Sequence, residues 1–161
     1  MFSTNSGAGT QVVHLEEVPV EDFQRFMHWL YTSRIEQVNP VLGADLIPLA
    51  RLWSLSEFLK VPALQNQVIS LLQSLLSTSP PDQLAIKEFL VYAYGGKWGE
   101  RAQLKGLAVD YVAWKTTPEE LDASAGQLPA RLSMDVLMRL KEGHEPGNPA
   151  CLLRGGSDYY V

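Results

Sequence analysis

The stretch FQRFMHWLYTS, residues 23–33, and the stretch LWSLSEFLKVPALQN, residues 52–66, decide how this chain can fold. In the first stretch, apolar side chains recur at the spacing of an amphipathic helix, and they are Phe23, Phe26, Met27, Leu30 and Tyr31. Pro19 suits the first turn of such a helix, and acidic residues 21 and 22 suit the positive end of its dipole. We therefore predict a helix over residues 19–32.

The second stretch predicts two helices, because its broad apolar face is interrupted at Lys60-Val61-Pro62. The helix before the break is expected over about 45–59, with Pro48 tolerated only in its first turn. The helix after the break is expected over about 62–76. Short connections should make these helices bury facing stripes in one cluster, whose expected members are Phe23, Phe26, Leu30, Leu52, Leu59, Leu64, Val68 and Leu71.

Further helices are expected toward the C-terminus, because the helical spacing of apolar residues continues there. Gly95 and Gly96 can supply the left-handed conformation that closes the first of these helices. Thr117-Pro118-Glu119-Glu120 matches a capping box and predicts the start of a short helix. The longer helices are expected over 82–94, about 100–115 and about 129–142, the last with Leu132, Val136, Leu137 and Leu140 in phase.

The two ends of the chain predict less regular structure. Residues 1–10 are small and polar and indicate a disordered leader. Val12, Val13 and Leu15 fit one short strand over residues 11–15. From residue 143 onward, Gly, Pro and Asn predict a loose tail. The predicted fold class is mainly α, with an α+β remnant of one or two short N-terminal strands.

The composition argues against several classes of function. The formal net charge is −5 and there is no basic stripe, so direct binding of nucleic acid is disfavoured by phosphate repulsion. No apolar run is long enough to cross a bilayer and no signal peptide is evident, so no membrane partner is expected. The single cysteine, Cys151, cannot form an internal disulfide. A reducing compartment, cytoplasmic or nuclear, fits best.

No motif indicates a catalytic, cofactor or metal site. His14, His28 and His144 lack a second histidine or a cysteine at ligand spacing. Gly95-Gly96-Lys97 lacks both the first glycine and the hydroxyl residue of a phosphate-binding loop, and helix termination explains it better. We predict no cofactor and no enzymatic activity, with a small helical enzyme as the remote alternative.

The two deciding stretches resemble the BTB/POZ family in its fungal form. The first matches the family's F-x-x-F-x-x-W-L-Y-T-G helix, with Ser33 where the family prefers glycine. The second echoes L-Y-x-L-A-D-K-L-x-I-P-x-L-Q-N, and its P-x-L-Q-N ending is similar to the fungal branch. Residues 104–114, LKGLAVDYVAW, are similar to a helix that often follows in such proteins.

The resemblance implies a division of the chain into a leader and two folded parts with a tail. A BTB domain begins with a strand hairpin and a helix that should precede Val12, where this sequence has about ten polar residues. We therefore expect an N-terminally shortened domain, either a natural short form or the product of a truncated gene model. The expected divisions are a disordered leader at 1–10, a partial BTB/POZ domain at 11–78, a helical extension at 79–142 and a flexible tail at 143–161.

The resemblance also implies a function, which is protein–protein interaction. Family members often self-associate, and many act as adaptors that present substrates to a cullin-type ubiquitin ligase. In such adaptors the partner packs against the helix equivalent to 21–32 and the turn after it. The contact residues that this implies are Gln24, Arg25, His28 and Tyr31. The alternatives are a scaffold or transcription-related self-association module without cullin binding, and a solvated helix face that binds nothing.

Overall fold

The structure, a computed structural model, describes residues 18–35, 45–78, 82–95, 101–117, 119–121, 126 and 128–143. This part of the chain contains six helices of twelve residues or more. Each begins and ends within two residues of its predicted bounds, so the prediction of a mainly α fold is confirmed. The helices are α1 (Val20–Thr32), α2 (Leu46–Phe58), α3 (Pro62–Thr78), α4 (Gln83–Tyr94), α5 (Ala102–Lys115) and α6 (Ala130–Gly143).

Helix α2 is the centre of the packing. It contacts α1, α3 and α4, and its Leu46, Leu52 and Trp53 side chains have no exposed surface. A helix surrounded in this way needs apolar residues on most sides, which explains why its sequence has almost no polar face. Helix α5 packs against α3 and α4, and α6 packs against α5. Helices α1 and α6 therefore lie at opposite ends of this series of contacts.

The predicted core is confirmed for most of its members. Those that are buried in one cluster are Phe26, Leu52, Leu64 and Val68, and those that are partly buried against it are Leu59 and Leu71.

The prediction that Phe23 and Leu30 are core residues is wrong. Phe23 is 38% exposed and Leu30 is 54% exposed. The inward side of α1 is set by Asp22 and Phe26, which are buried. Because successive helical residues are rotated by about 100°, position 23 lies about 80° and position 30 about 60° from the middle of that inward side.

The predicted break between α2 and α3 is confirmed, and it has the geometry of a Schellman motif. Lys60 is left-handed, with φ at 58°. Its N–H donates to the Glu57 carbonyl at 3.2 Å, and the Val61 N–H donates to the Ser56 carbonyl at 2.9 Å. These two bonds satisfy carbonyls that the end of α2 would otherwise leave without partners.

A glycine at position 60 is expected to stabilise the protein. The left-handed region costs a residue with a Cβ atom roughly 1–2 kcal/mol, which glycine avoids. Glycine in turn loses more backbone entropy on folding, so we expect Lys60→Gly to raise the free energy of unfolding by about 0.5–1 kcal/mol. Urea denaturation measures this change. Lys60→Ala is the matched control, because it removes the same charge beside Glu57 but keeps the Cβ atom, and equal stability of the two variants would contradict the prediction.

At the end of α4, the predicted left-handed conformation is absent from Gly95 and lies outside the described residues at Gly96. Gly95 is extended, with φ at −82° and ψ at 96°. The Arg101 guanidinium binds carbonyls at the end of this helix, because its Nη1 donates to the Tyr92 carbonyl and, at 2.7 Å, to the Gly95 carbonyl. The same guanidinium lies 4.1 Å from the centre of the Tyr92 ring.

The predicted capping box after α5 is confirmed. The Thr117 N–H donates to Glu120 Oε2 at 2.9 Å, and the Glu120 N–H donates to Thr117 Oγ1 at 3.3 Å. Residues 119–121 are helical, as the motif predicts. The predicted leader (1–10), the predicted strand (11–15) and residues 144–161 of the predicted tail lie outside the described residues, whereas Gly143, predicted as the first residue of the tail, is the last residue of α6.

Candidate protein-interaction surface

Three of the four predicted contact residues lie on the outer face of α1. Gln24, His28 and Tyr31 are exposed, and Tyr31 is the most exposed large apolar side chain of the described residues, at 82%. Their spacing of i, i+4 and i+7 places them along one side of the helix. We call these three residues the α1 outer face.

The fourth predicted residue, Arg25, is held away from that face. Its Nη1 lies 3.4 Å from Asp22 Oδ1, and its side chain is only one third exposed. Asp22 is buried beneath it, and its second carboxylate oxygen has no hydrogen-bond partner among the described residues. Burial raises the pKa of the Asp22 carboxyl, against the opposing attraction of Arg51 and Arg25. Arg25 is therefore paired with a buried carboxyl group on the same helix.

Helix α1 is fixed to the rest of the protein on its inner side. Phe26 belongs to the core, and Asp22 is buried where α1 meets α2. The Trp29 indole Nε1 donates to Gln67 Oε1 on α3 at 2.8 Å. Contacts with two different helices fix the rotation of α1 about its axis, so the outer face has a defined orientation.

The turn after α1 is well defined. Ser33 is left-handed, with φ at 55°, and its N–H donates to the Trp29 carbonyl at 2.7 Å. The conformation explains why glycine would be preferred there. The Thr32 hydroxyl donates to the His28 carbonyl at 2.8 Å and accepts the Arg34 N–H at 3.2 Å. The end of the helix and the following turn thus form a continuous ordered surface with Tyr31.

Sequence analysis did not predict that α1 also exposes apolar side chains on and beside its outer face. Val20 is 66% exposed, and Phe23 and Leu30, predicted to be buried, are also accessible. The Phe23 ring is tilted against the Phe26 ring, with 6.2 Å between the ring centres. Phe23 and Leu30 follow the periodicity expected of buried residues. Their exposure therefore depends on which side of α1 packs against the other helices, and only the structure shows this.

This surface is mixed in chemical character. It combines a large aromatic ring and aliphatic side chains with an amide and an imidazole. Among the described residues no cluster of three or more His, Cys, Asp or Glu side chains could hold a metal ion. In the same part of the chain no helix is both long and apolar enough to cross a bilayer.

Comparison with known proteins gives a match to a domain family. The family model of the BTB/POZ domain, a family of protein-interaction domains, matches residues 1–76. The match contains α1, α2 and most of α3, and so includes the α1 outer face. No curated protein and no solved structure gives a significant match.

Proposed function

Since residues 1–76 belong to the BTB/POZ domain family, we propose that the chain is a protein–protein interaction module that binds a partner through the α1 outer face. The observation that carries this proposal is the 82% exposure of Tyr31 on a helix that two neighbours hold in place. Aromatic side chains at fixed positions are the residues that dominate protein interfaces. In this proposal the domain spans 11–78 and the helices of 79–142 extend it.

The finer proposal is that the partner is the N-terminal part of a cullin scaffold, which would make the chain a ubiquitin-ligase adaptor. In adaptors of this family the partner packs against the helix that corresponds to α1 and against the turn that follows it. The ordered turn at Ser33 and the exposed Tyr31 beside it support this proposal. His28 and Gln24 supply hydrogen-bonding groups on the same side of α1 as Tyr31, where they could form part of a polar rim.

The second candidate is self-association without cullin binding, as in a scaffold or a transcription-related module. The exposed Phe23 and Leu30 favour it, because large exposed apolar side chains on one side of a helix are a feature of protein contacts. Phe23 and Leu30 lie on a side of α1 adjacent to the outer face, so substitutions there can distinguish the two candidates.

The test of the cullin proposal is the double substitution Tyr31→Ala and His28→Ala. We expect it to weaken binding to a purified cullin N-terminal domain by about tenfold or more, because a central aromatic contact is lost. Titration by calorimetry or by fluorescence anisotropy measures the change. Both side chains are exposed, so the thermal melt should not move.

A matched control lies on α4, where Leu84 is 60% exposed and Glu88 is also exposed. Leu84→Ala together with Glu88→Ala should leave cullin binding unchanged. If the wild-type chain does not bind the cullin domain, or if both double variants bind equally well, the cullin proposal fails. Concentration-dependent dimerisation that Leu30→Ser abolishes would then favour the self-association candidate.

A further inference from the structure

Helix α6 has apolar side chains on two opposite sides. Leu132 and Val136 face inward and are buried, at 1% and 8% exposure. Met134, Leu137 and Met138 are 62%, 58% and 57% exposed. Their spacing of i, i+3 and i+4 makes them one patch, and the helical rotation places this patch opposite the buried pair. A surface helix needs only one apolar side to join a core, so the second side requires another explanation.

Helix α6 is held so that this second side stays outward. The Arg139 Nε lies 2.9 Å from Asp110 Oδ1 on α5, and Asp110 has no exposed surface. The Tyr94 hydroxyl on α4 donates to Asp135 Oδ2 at 2.6 Å. Burial, and then this bond to Asp135, raise the pKa of Tyr94, so the hydroxyl keeps its proton and stays a donor. Two polar contacts with two helices prevent α6 from rotating to bury the outward patch.

Both ends of the outward patch carry a cation. Arg131 lies three residues before Met134, and Lys141 lies three residues after Met138, and both are exposed. The positions 131, 134, 138 and 141 follow one line along the helix. The two charged residues on this line, Arg131 and Lys141, are both positive, whereas the whole chain has a formal net charge of −5. We call Arg131, Met134, Leu137, Met138 and Lys141 the α6 stripe.

We propose that the α6 stripe binds an amphipathic helix of a partner protein whose apolar side is flanked by acidic residues. A partner helix presents anchors at the same i, i+3, i+4 and i+7 spacing, which suits a short apolar line. Unbranched methionines adapt to the side chains that they meet. Charge complementarity with Arg131 and Lys141 would select acidic flanks and orient the encounter.

A second copy of the chain fits the α6 stripe poorly. If two α6 helices paired antiparallel, Arg131 of each would approach Lys141 of the other. If they paired parallel, each cation would meet its own equivalent. Both arrangements bring like charges together at an interface, which disfavours association.

The test uses the full chain and two synthetic helical peptides that share one leucine stripe. One peptide carries glutamate on both flanks of the stripe and the other carries lysine at the same positions. We expect the acidic peptide to bind at least about tenfold more tightly by fluorescence anisotropy, and its affinity to fall as salt is added. Equal binding of the two peptides, or binding of neither, would overturn the proposal.

The apolar part of the stripe is tested by Leu137→Ser together with Met138→Ser. We expect this variant to bind the acidic peptide about tenfold less tightly or worse. The matched control is Leu84→Ser together with Val91→Ser on α4, where both side chains are at least 46% exposed. An equal loss in the control would show nonspecific apolar binding and overturn the proposal.

The charged part of the stripe is tested by Arg131→Glu together with Lys141→Glu, which should reverse the preference between the two peptides. The control, Arg34→Glu together with Lys115→Glu, changes exposed cations elsewhere and should leave the preference unchanged. An unchanged preference in the stripe variant would contradict the proposed partner chemistry.

Two further measurements separate other occupants of the stripe. If the wild-type chain binds vesicles of phosphatidylcholine and phosphatidylserine and the Leu137→Ser and Met138→Ser double variant does not, the stripe binds a lipid surface and the proposal is overturned. Dimerisation of the wild-type chain that the same variant abolishes would identify a second copy and also overturn it. The Tyr31→Ala and His28→Ala double variant should bind the acidic peptide like wild type, since the α1 outer face is a separate surface.

Discussion

Replacing Phe26 or Leu64 by alanine is expected to lower the free energy of unfolding by about 2–5 kcal/mol at each site. Phe26 is 9% exposed and connects α1 to the core, and Leu64 on α3 has no exposed surface. Each substitution removes buried apolar atoms and leaves a cavity that neighbouring helices can only partly fill. Urea denaturation followed by circular dichroism measures the loss, which should also lower the melting temperature by roughly 2–4 °C per kcal/mol.

The matched controls are Phe23→Ala and Leu30→Ala on the same helix. Both side chains are accessible to solvent, so each substitution should cost at most about 1 kcal/mol, part of it at Phe23 from the lost contact with the Phe26 ring. Losses at Phe23 and Leu30 as large as those at Phe26 and Leu64 would mean that the inward side of α1 has been assigned wrongly. Near-neutral effects at Phe26 and Leu64 would contradict the assignment of the core.

The helices could be predicted closely because the signals that begin and end them are local. Pro48 in the first turn fixes the start of α2, and the break at Lys60-Val61-Pro62 separates α2 from α3. Thr117 and Glu120 lie three residues apart and satisfy each other's N–H groups as the motif requires. Such features need no knowledge of the tertiary structure.

The inward side of α1 could not be predicted from the same pattern. Apolar side chains cover a wide arc of this helix, and periodicity does not say which part of the arc meets the core. The choice depends on distant residues, among them Gln67, which accepts the Trp29 indole N–H. A buried carboxylate at Asp22 is also invisible to a hydrophobic pattern, yet it defines the inward side as clearly as Phe26 does.

The two candidate surfaces also differ in how far the sequence could predict them. Gln24, His28 and Tyr31 could be proposed from the family resemblance, and their exposure is consistent with contact. The outward side of α6 could not be proposed, because Leu137 shares its helical phase with residues expected in the core and is 58% exposed. The contact of Arg101 with the end of α4 could not be predicted either, because no local sequence pattern indicates that its guanidinium binds the Gly95 carbonyl.

Replacing Arg139 by methionine is expected to lower the free energy of unfolding by about 3–5 kcal/mol, because it leaves a buried carboxylate without its ion pair. Asp110 has no exposed side-chain surface, and the Arg139 Nε lies 2.9 Å from its Oδ1. Methionine keeps most of the aliphatic stem, so the loss of packing is small compared with the loss of charge compensation. The control is Arg131→Met on the same helix, where the exposed guanidinium should contribute no more than about 0.5 kcal/mol.

The double variant Asp110→Asn with Arg139→Met completes the cycle. Because the buried negative charge is then absent, the double variant should be more stable than Arg139→Met alone and less destabilised than the sum of the two single variants. Urea denaturation of the wild type, the two single variants and the double variant gives the coupling free energy between Asp110 and Arg139. If Arg139→Met proves as mild as Arg131→Met, or if the two single effects simply add, this ion pair does not hold α6 against α5. The fixed orientation of the α6 stripe would then have to come from Tyr94 and the buried Leu132 and Val136 alone.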